Sequence, residues 1–275
     1  MSASLAAELI QKNCPQFKAD IGLILGSGLG SVVEQIEVIR AFDYSELPGF
    51  PVCSVSGHQG QLIVGQIAGR NVICLSGRSH PYEGENHASY VKTCIRTLRL
   101  CGANTLVTTS ATGSLHQNVG PGSIVIINDH INLQFSNPLV GPNDDEFGPR
   151  FVPMADIYDP KLRALLHQAA ETQGIAVTEG VYCGTIGPSF ETAAEVRACR
   201  LLGGDVVGMS TIPEVLIAVH CGLRVAALSI VTNYATGLQT EALAHDVTLA
   251  VAAQASANVK KLLLEFLRLS EGESS

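Results

Sequence analysis

The sequence predicts an α/β fold with a largely buried sheet. Short β-branched runs alternate with helical stretches from end to end, glycines and small polar residues punctuate the ends of the runs, and 46% of the 275 residues are hydrophobic while 15% are charged. A chain of this length and composition buries most of its apolar surface in one large domain or two small ones. Strands are expected at IGLIL (21–25), VICL (72–75), TLVTTS (105–110), SIVII (123–127) and VAALSIV (225–231). Helices are expected after Ser31, near 88–101, 160–173, 191–202 and 214–221, and over about 241–269. The last helix carries Leu243, Val247, Ala250, Leu262, Leu263 and Phe266 at three- and four-residue spacing, with Thr240 placed to cap it and Glu241 in its first turn. That face is core. The stretch 135–160, with NPLVGPNDDEFGPRF inside it, is too rich in Pro, Gly, Asn and Asp to form a regular element. A long loop in a compact fold is usually functional, so it is expected near the site or at a subunit contact. The tail EGESS is expected to fray.

Composition also excludes. No apolar run approaches the roughly 20 residues of a membrane helix, and the start MSASLAAELIQKNCPQF lacks the basic opening and long apolar stretch of a signal peptide, so a cytoplasmic protein is expected. The eight cysteines show no CxxC spacing and are expected to be reduced, buried apolar residues. A formal net charge of −8 argues against a general nucleic-acid binder, which needs surplus Lys and Arg. Any phosphate is then handled in a local pocket.

Six segments carry candidate chemistry. Leu25-Gly26-Ser27-Gly28-Leu29-Gly30-Ser31 follows a strand and precedes a helix; its amides and the Ser27 hydroxyl suit an anion, but a tight turn or the start of a dinucleotide site reads the same way. In Gly77-Arg78-Ser79-His80-Pro81-Tyr82-Glu83-Gly84, Arg78 and His80 lie two apart and share a face if extended, where a guanidinium fork can grip phosphate and an imidazole can assist; a solvated loop is the alternative. Thr109 to Leu115 places small residues at a strand's carboxyl end, where open sheets put ligands, although a plain strand-to-loop junction looks the same. In Gly187-Pro188-Ser189-Phe190-Glu191-Thr192, Ser189 is a sound helix cap and Glu191 a sound first-turn acid; alternatively Phe190 stacks on a planar ring while Glu191 accepts its N–H groups. Glu214, after Pro213 in the segment Val207 to Glu214, reads as ordinary first-turn chemistry. Asn233, past a buried strand, reads as a turn residue or a ligand contact.

Taken together and in this order, these segments resemble the trimeric family of purine nucleoside phosphorylases that act on 6-oxopurine nucleosides. The match runs from about residue 20 to the last helix through ILGSGLG, LPGFP, the Gly57-His58 pair, GR-H-YEG, DHINL, NPL-GPN, GPSFET, GGD-VGMST-PEV, HCGLRV and the pair Thr232-Asn233. The resemblance implies one nucleoside phosphorylase domain over 1–275, frayed at 270–275, with a central mixed, partly barrel-like sheet flanked by helices. It implies that Ser27, Arg78, His80, the Ala111 backbone and Ser210 surround phosphate. Tyr82, Met209 and His58 would lie beside the ribose, with His245 reaching the 5′-hydroxyl. Phe190 would stack on the purine, Glu191 and Asn233 would bond its edge, and Tyr182 would sit close to the pocket wall. Asn233, Glu191 and His80 would be the catalytic group. Phe135 would reach a neighbouring subunit's site in a homotrimer, with pairing of trimers into hexamers left open; the loop here is shorter than in vertebrate members.

Departures narrow the resemblance. Ser110-Ala111-Thr112-Gly113-Ser114 is not the Asn-Ala-Ala-Gly common in the family, and Asn233-Tyr234-Ala235-Thr236-Gly237 resembles bacterial members, whose inosine, guanosine and xanthosine branch leaves xanthosine open as a substrate. The implied activity is phosphorolysis with inorganic phosphate as co-substrate, with no metal and no organic cofactor, and with nucleoside and phosphate as the only partners. Rivals are a nicotinamide-dependent oxidoreductase, suggested by the glycine loop with Asp43 or Glu46 beyond it, and a non-catalytic purine binder. A methylthioadenosine phosphorylase of the same superfamily carries Asp where Asn233 stands.

Overall fold

The computed structural model describes residues 2–26, 29–51, 60–238 and 245–270, apart from the side chains of 245–249, 252 and 254. Nine strands among these residues form one mixed sheet: β1 (Ile21–Leu25), β2 (Glu37–Asp43), β3 (Gln61–Ile67), β4 (Arg70–Ser76), β5 (Thr105–Ser114), β6 (Ile124–Asn132), β7 (Val177–Gly184), β8 (Val206–Gly208) and β9 (Arg224–Tyr234). Seven helices accompany them: α1 (Ser2–Asn13), α2 (Gly30–Val33), α3 (His87–Leu100), α4 (Pro160–Thr172), α5 (Ala193–Leu201), α6 (Ile212–His220) and α7 (His245–Leu269). The sheet order is β2-β3-β4-β1-β5-β8-β7-β6-β9, and β9 also pairs with β5. β5, β8, β7, β6 and β9 therefore close into a ring, with β1, β4, β3 and β2 extending from it as an open wing.

Strand alternation assigns the core. Ile24, Leu106, Val125, Ile127, Val225 and Ala227 pack on one face with α1, α3 and α6, whereas Leu23, Leu25, Val107, Ile124, Ile126, Ala226 and Leu228 pack on the other with α2, α4 and α7. Successive side chains point to opposite faces, and helices cover both, so β1 is buried at all five positions and shows no polar alternation. Leu262, Leu263 and Phe266 of α7 are fully buried, as their spacing predicts, but Ala250, expected on the same face, is exposed. Thr240 and Glu241, the expected cap and first-turn acid, lie outside the described residues, as do Leu243 and the side chain of Val247.

Five elements are not apparent in the sequence. α1 buries Ala3, Ala6, Ala7 and Ile10 at helical spacing against α3, but three alanines give a faint stripe. β2 is an edge strand with only Phe42 buried, so it has little hydrophobic pattern. β3 joins β4 through Ala68 and Gly69, both at positive φ, the conformation a two-residue hairpin needs, but Ala stands where Asn or Gly would have signalled the turn. Gly180 interrupts the residue pattern of β7, and β8 has three residues. The stretch 133–159 contains no helix or strand, in line with its composition.

Ser189 does not cap α5. The cap is Thr192, whose hydroxyl accepts from Glu195 N–H at 3.2 Å while Glu195 accepts from Thr192 N–H at 2.7 Å, a reciprocal pair at the spacing of a capping box. The helix starts later than expected, and Glu191 is left outside its first turn. Its far end follows the Gly203 signal, with that residue at φ 96°.

Candidate active site

A cavity of about 360 Å³ opens where the chain leaves β1, β4, β7, β8 and β9 and along the last residues of β5. That volume suits a small organic ligand, and strand carboxyl ends are where α/β sheets bind them. Its lining includes Gly26, Arg78, His80, Tyr82, Ala111, Phe190, Glu191, Met209, Ser210 and Asn233. Residues that the sequence scatters over 200 positions thus face one space.

Arg78 leaves the end of β4 and is buried. Its Nη2 donates to the Thr109 carbonyl at 2.6 Å and to the Thr108 hydroxyl at 3.3 Å, which anchors the guanidinium on β5. Gly26 is required beside it: a methyl there would come within 2.7 Å of that same Thr109 carbonyl. The Gly26 N–H donates to the Thr109 hydroxyl at 2.9 Å, tying the glycine loop to β5.

His80 is fixed by Glu83, whose Oε1 accepts from the His80 backbone N–H at 2.7 Å and faces Nδ1 at 3.1 Å. A carboxylate there favours the tautomer with its proton on Nδ1. Tyr82 stacks on the imidazole with centroids 5.0 Å apart. Burial, with the nearby Glu83 charge, pushes the Tyr82 hydroxyl up against the opposing influence of Arg78, so it stays protonated at neutral pH.

Ser210 follows β8 at a sharp corner, where Thr211 holds φ 63°. The Ser210 N–H donates to the Tyr182 hydroxyl at 3.1 Å, and its carbonyl accepts from Gln134 Nε2 at 3.4 Å. Tyr182 itself is fully buried and does not line the cavity. It stands behind Ser210 as a support, because its ring is enclosed by the barrel and only its hydroxyl reaches the corner.

At the other end, a β-bulge aims Asn233. Thr112 pairs with Val231 and Gly113 with Asn233, so Thr232 is the extra residue on β9, and the kink presents Asn233 to the cavity. The Thr232 hydroxyl bonds the Thr112 carbonyl at 3.2 Å and Asn233 Oδ1 at 2.9 Å, while Asn233 Nδ2 donates to the Tyr234 carbonyl at 3.0 Å. A side chain on Gly113 would press on that amide at 3.1 Å. Glu191 is buried, lines the cavity, and accepts from the Thr185 hydroxyl through Oε1 at 2.7 Å. Phe190, at the mouth, is 42% exposed.

Ser27 and His58 lie outside the described residues, and His245 opens α7 with its side chain undescribed. Phe135 does not line the cavity; it stands 92% exposed in the long loop at φ 50°. Sequence reasoning missed the supporting groups Glu83, Thr185, Gln134 and Glu214. Only Glu83 had a signal, the three-residue spacing from His80 that closes a capping box. Among the described residues no cluster of three or more His, Cys, Asp or Glu could hold a metal, and no helix is long and apolar enough to cross a membrane. The seven described cysteines are buried and form no disulfide, and burial pushes Cys74 and Cys101 up to about 12.

Residues 20–268 match the phosphorylase superfamily. "Purine nucleoside phosphorylase 1" of Geobacillus stearothermophilus is 43% identical over 241 residues, 88% of this chain and 87% of that one. The fold superposes on purine nucleoside phosphorylase of Schistosoma mansoni in complex with inosine, with TM-score 0.91, 38% identity, and coverage of 97% of this chain and 95% of that one. It superposes equally on isoform 2 from that organism in complex with cytosine and ribose-1-phosphate, at TM-score 0.91, 38% identity and the same coverage. With a fold that superposes over 97% of the chain and identity sustained over nearly nine tenths of it, this protein belongs to the phosphorylase superfamily, among its purine nucleoside phosphorylases.

Proposed function

We propose that the chain cleaves 6-oxopurine ribonucleosides and deoxyribonucleosides with inorganic phosphate, releasing the free base and ribose or deoxyribose 1-phosphate in cytoplasmic purine salvage. The observation that carries this reading is the spacing of two unlike groups along β5. Arg78 is bonded to Thr109, and Asn233 faces Gly113, four residues further on. At about 3.3 Å per residue those positions are about 13 Å apart, room for a phosphate, a ribose and a purine in line. Ala111 lies midway, where its backbone meets the phosphate and its small side chain leaves space for the sugar.

The chemistry follows from the groups at each end. Breaking the C–N bond leaves negative charge on the purine and positive charge on the ribose. Asn233 donates from its amide to the base as that charge grows, and Glu191 accepts the N1–H of a 6-oxopurine while Thr185 holds its other oxygen. Phe190 covers the ring. Arg78, with Ser210, His80 and the Ser27 loop, holds the phosphate dianion against the ribosyl face, where it is both electrostatic partner and nucleophile. Tyr82, Met209, His58 and His245 enclose the ribose. The chain's own groups supply every role, so the reaction calls for no metal or organic cofactor.

The assembly read with this function is a homotrimer. A phenylalanine 92% exposed at positive φ supports it, because such a side chain is costly in water and gains by entering a neighbouring subunit's site. The experiment is a coupled assay of phosphate-dependent base release across inosine, guanosine, xanthosine and adenosine. Inosine and guanosine turnover with little on adenosine is the expected result; equal rates on adenosine would overturn the 6-oxopurine assignment.

A further inference from the structure

The geometry points to Glu214 as a positioning residue for phosphate, acting through Arg78; this rests on the phosphorolytic reading above. Glu214 stands in the first turn of α6, four residues after Ser210, and is 4% exposed. Its Oε1 lies 3.7 Å from Arg78 Nε, and its Oε2 is buried without a hydrogen-bond partner among the described residues. It does not line the cavity.

A first-turn acid on a surface helix would sit in water. This one is stripped of water and only partly compensated, a costly placement unless a cation depends on it. Arg78 is that cation. Thr108 and Thr109 bind one corner of its guanidinium from β5, and Glu214 faces Nε from α6. Held from two elements, the fork is set before phosphate arrives and its buried charge is balanced while the cavity is empty. The corner at Thr211 makes this possible. Its positive φ turns the chain so that one short segment delivers Ser210 to the cavity and Glu214 behind Arg78.

Positioning and simple charge repulsion predict opposite signs. If Glu214 orients Arg78, then Glu214→Gln, which keeps the shape but loses the charge-assisted pair, raises the phosphate KM about tenfold and leaves the nucleoside KM unchanged. Glu214→Asp keeps the charge but falls one methylene short, so it also raises the phosphate KM, by about threefold or more. In an Arg78→Ala background, Glu214→Gln adds nothing further to the phosphate KM. A lowered phosphate KM in Glu214→Gln means the carboxylate only repels the anion and overturns the proposal. So does an equal rise in both KM values, or an undiminished effect without Arg78. If Glu214→Gln gives no folded protein, Glu214→Asp decides alone, and an unchanged phosphate KM there is equally fatal. Wild-type enzyme that releases base without phosphate would instead sink the phosphorolytic reading, so the two failures are distinguishable.

Discussion

The two ends of the cavity are built differently. At the Arg78 end most fixed groups are tied to a distant part of the chain, Arg78 to Thr109, Gly26 to Thr109, Ser210 to Tyr182 and Gln134, and only His80 is held locally, by Glu83 three residues on. At the Asn233 end the ties are local, with Glu191 bonded to Thr185 six residues before it and Asn233 bonded to its two neighbours. A charged ligand needs a rigid, buried cation, which only the assembled barrel can hold. A base edge needs a few aimed polar atoms, and a bulge or a short loop aims them. The first end should therefore fail through binding and assembly, the second through substrate choice.

The largest effect expected is at the first end. Arg78→Ala removes a charge-assisted fork and should raise the phosphate KM about 100-fold, a loss of about 3 kcal/mol, while nucleoside binding measured by calorimetry stays near wild type. Comparable losses for both substrates would erase the distinction between the ends.

Next comes Asn233→Asp. The O6 of inosine is an acceptor that the amide N–H₂ satisfies, whereas an ionised Asp would face it with repulsion and could instead accept from the N6–H₂ of adenosine. Mismatched buried polar groups discriminate by orders of magnitude, so the ratio of kcat/KM for inosine over adenosine should fall by about 100-fold. An unchanged ratio would show that Asn233 does not read the base.

A smaller effect sharpens the same point. Thr185→Val deletes the hydroxyl that holds Glu191, and loss of one such hydrogen bond, about 1 kcal/mol, should raise the inosine KM about fivefold with the phosphate KM untouched. Steady-state kinetics with each substrate varied in turn will separate the two.

The contrast also explains what the sequence revealed. Local devices leave local marks: GPSFET and the pair Thr232-Asn233 could be picked out, although Ser189 looked like the cap that Thr192 provides. Arg78 and His80, two apart after an apolar strand, were legible for the same reason. Of the groups that hold them, only Glu83 left such a mark, the three-residue spacing from His80. Glu214 has the spacing of any first-turn acid, and nothing in its neighbourhood states that Arg78, more than a hundred residues earlier, lies against it. The resemblance implied Tyr182 as a base contact close to the pocket wall; barrel closure puts it behind Ser210 instead. The exposed edge β2 and the short β8 lack the burial that writes a pattern into sequence.

Away from both ends, Asp159 offers a control. It caps α4 through the Lys161 and Leu162 N–H groups and grips Arg224 at 2.7 Å. Burial alone would raise its carboxyl, but Arg224 and the cap outweigh it and hold the carboxyl below its ordinary value. Its stabilisation is thus present above the unfolded value near pH 3.9 and is lost as pH falls through the lower folded value. Asp159→Ala should lower stability by about 1 to 2 kcal/mol at pH 7, with kcat and both KM values unchanged and the stability difference shrinking below about pH 4. Thermal unfolding across that range measures it.

Whether both ends act on one nucleoside with phosphate as the nucleophile is decided by incubating the enzyme with inosine, with and without inorganic phosphate, and identifying the sugar product. The expected result is hypoxanthine release that saturates with phosphate, equimolar ribose 1-phosphate, and negligible turnover in its absence. Equal release in phosphate-free buffer, with free ribose as the product, would contradict it.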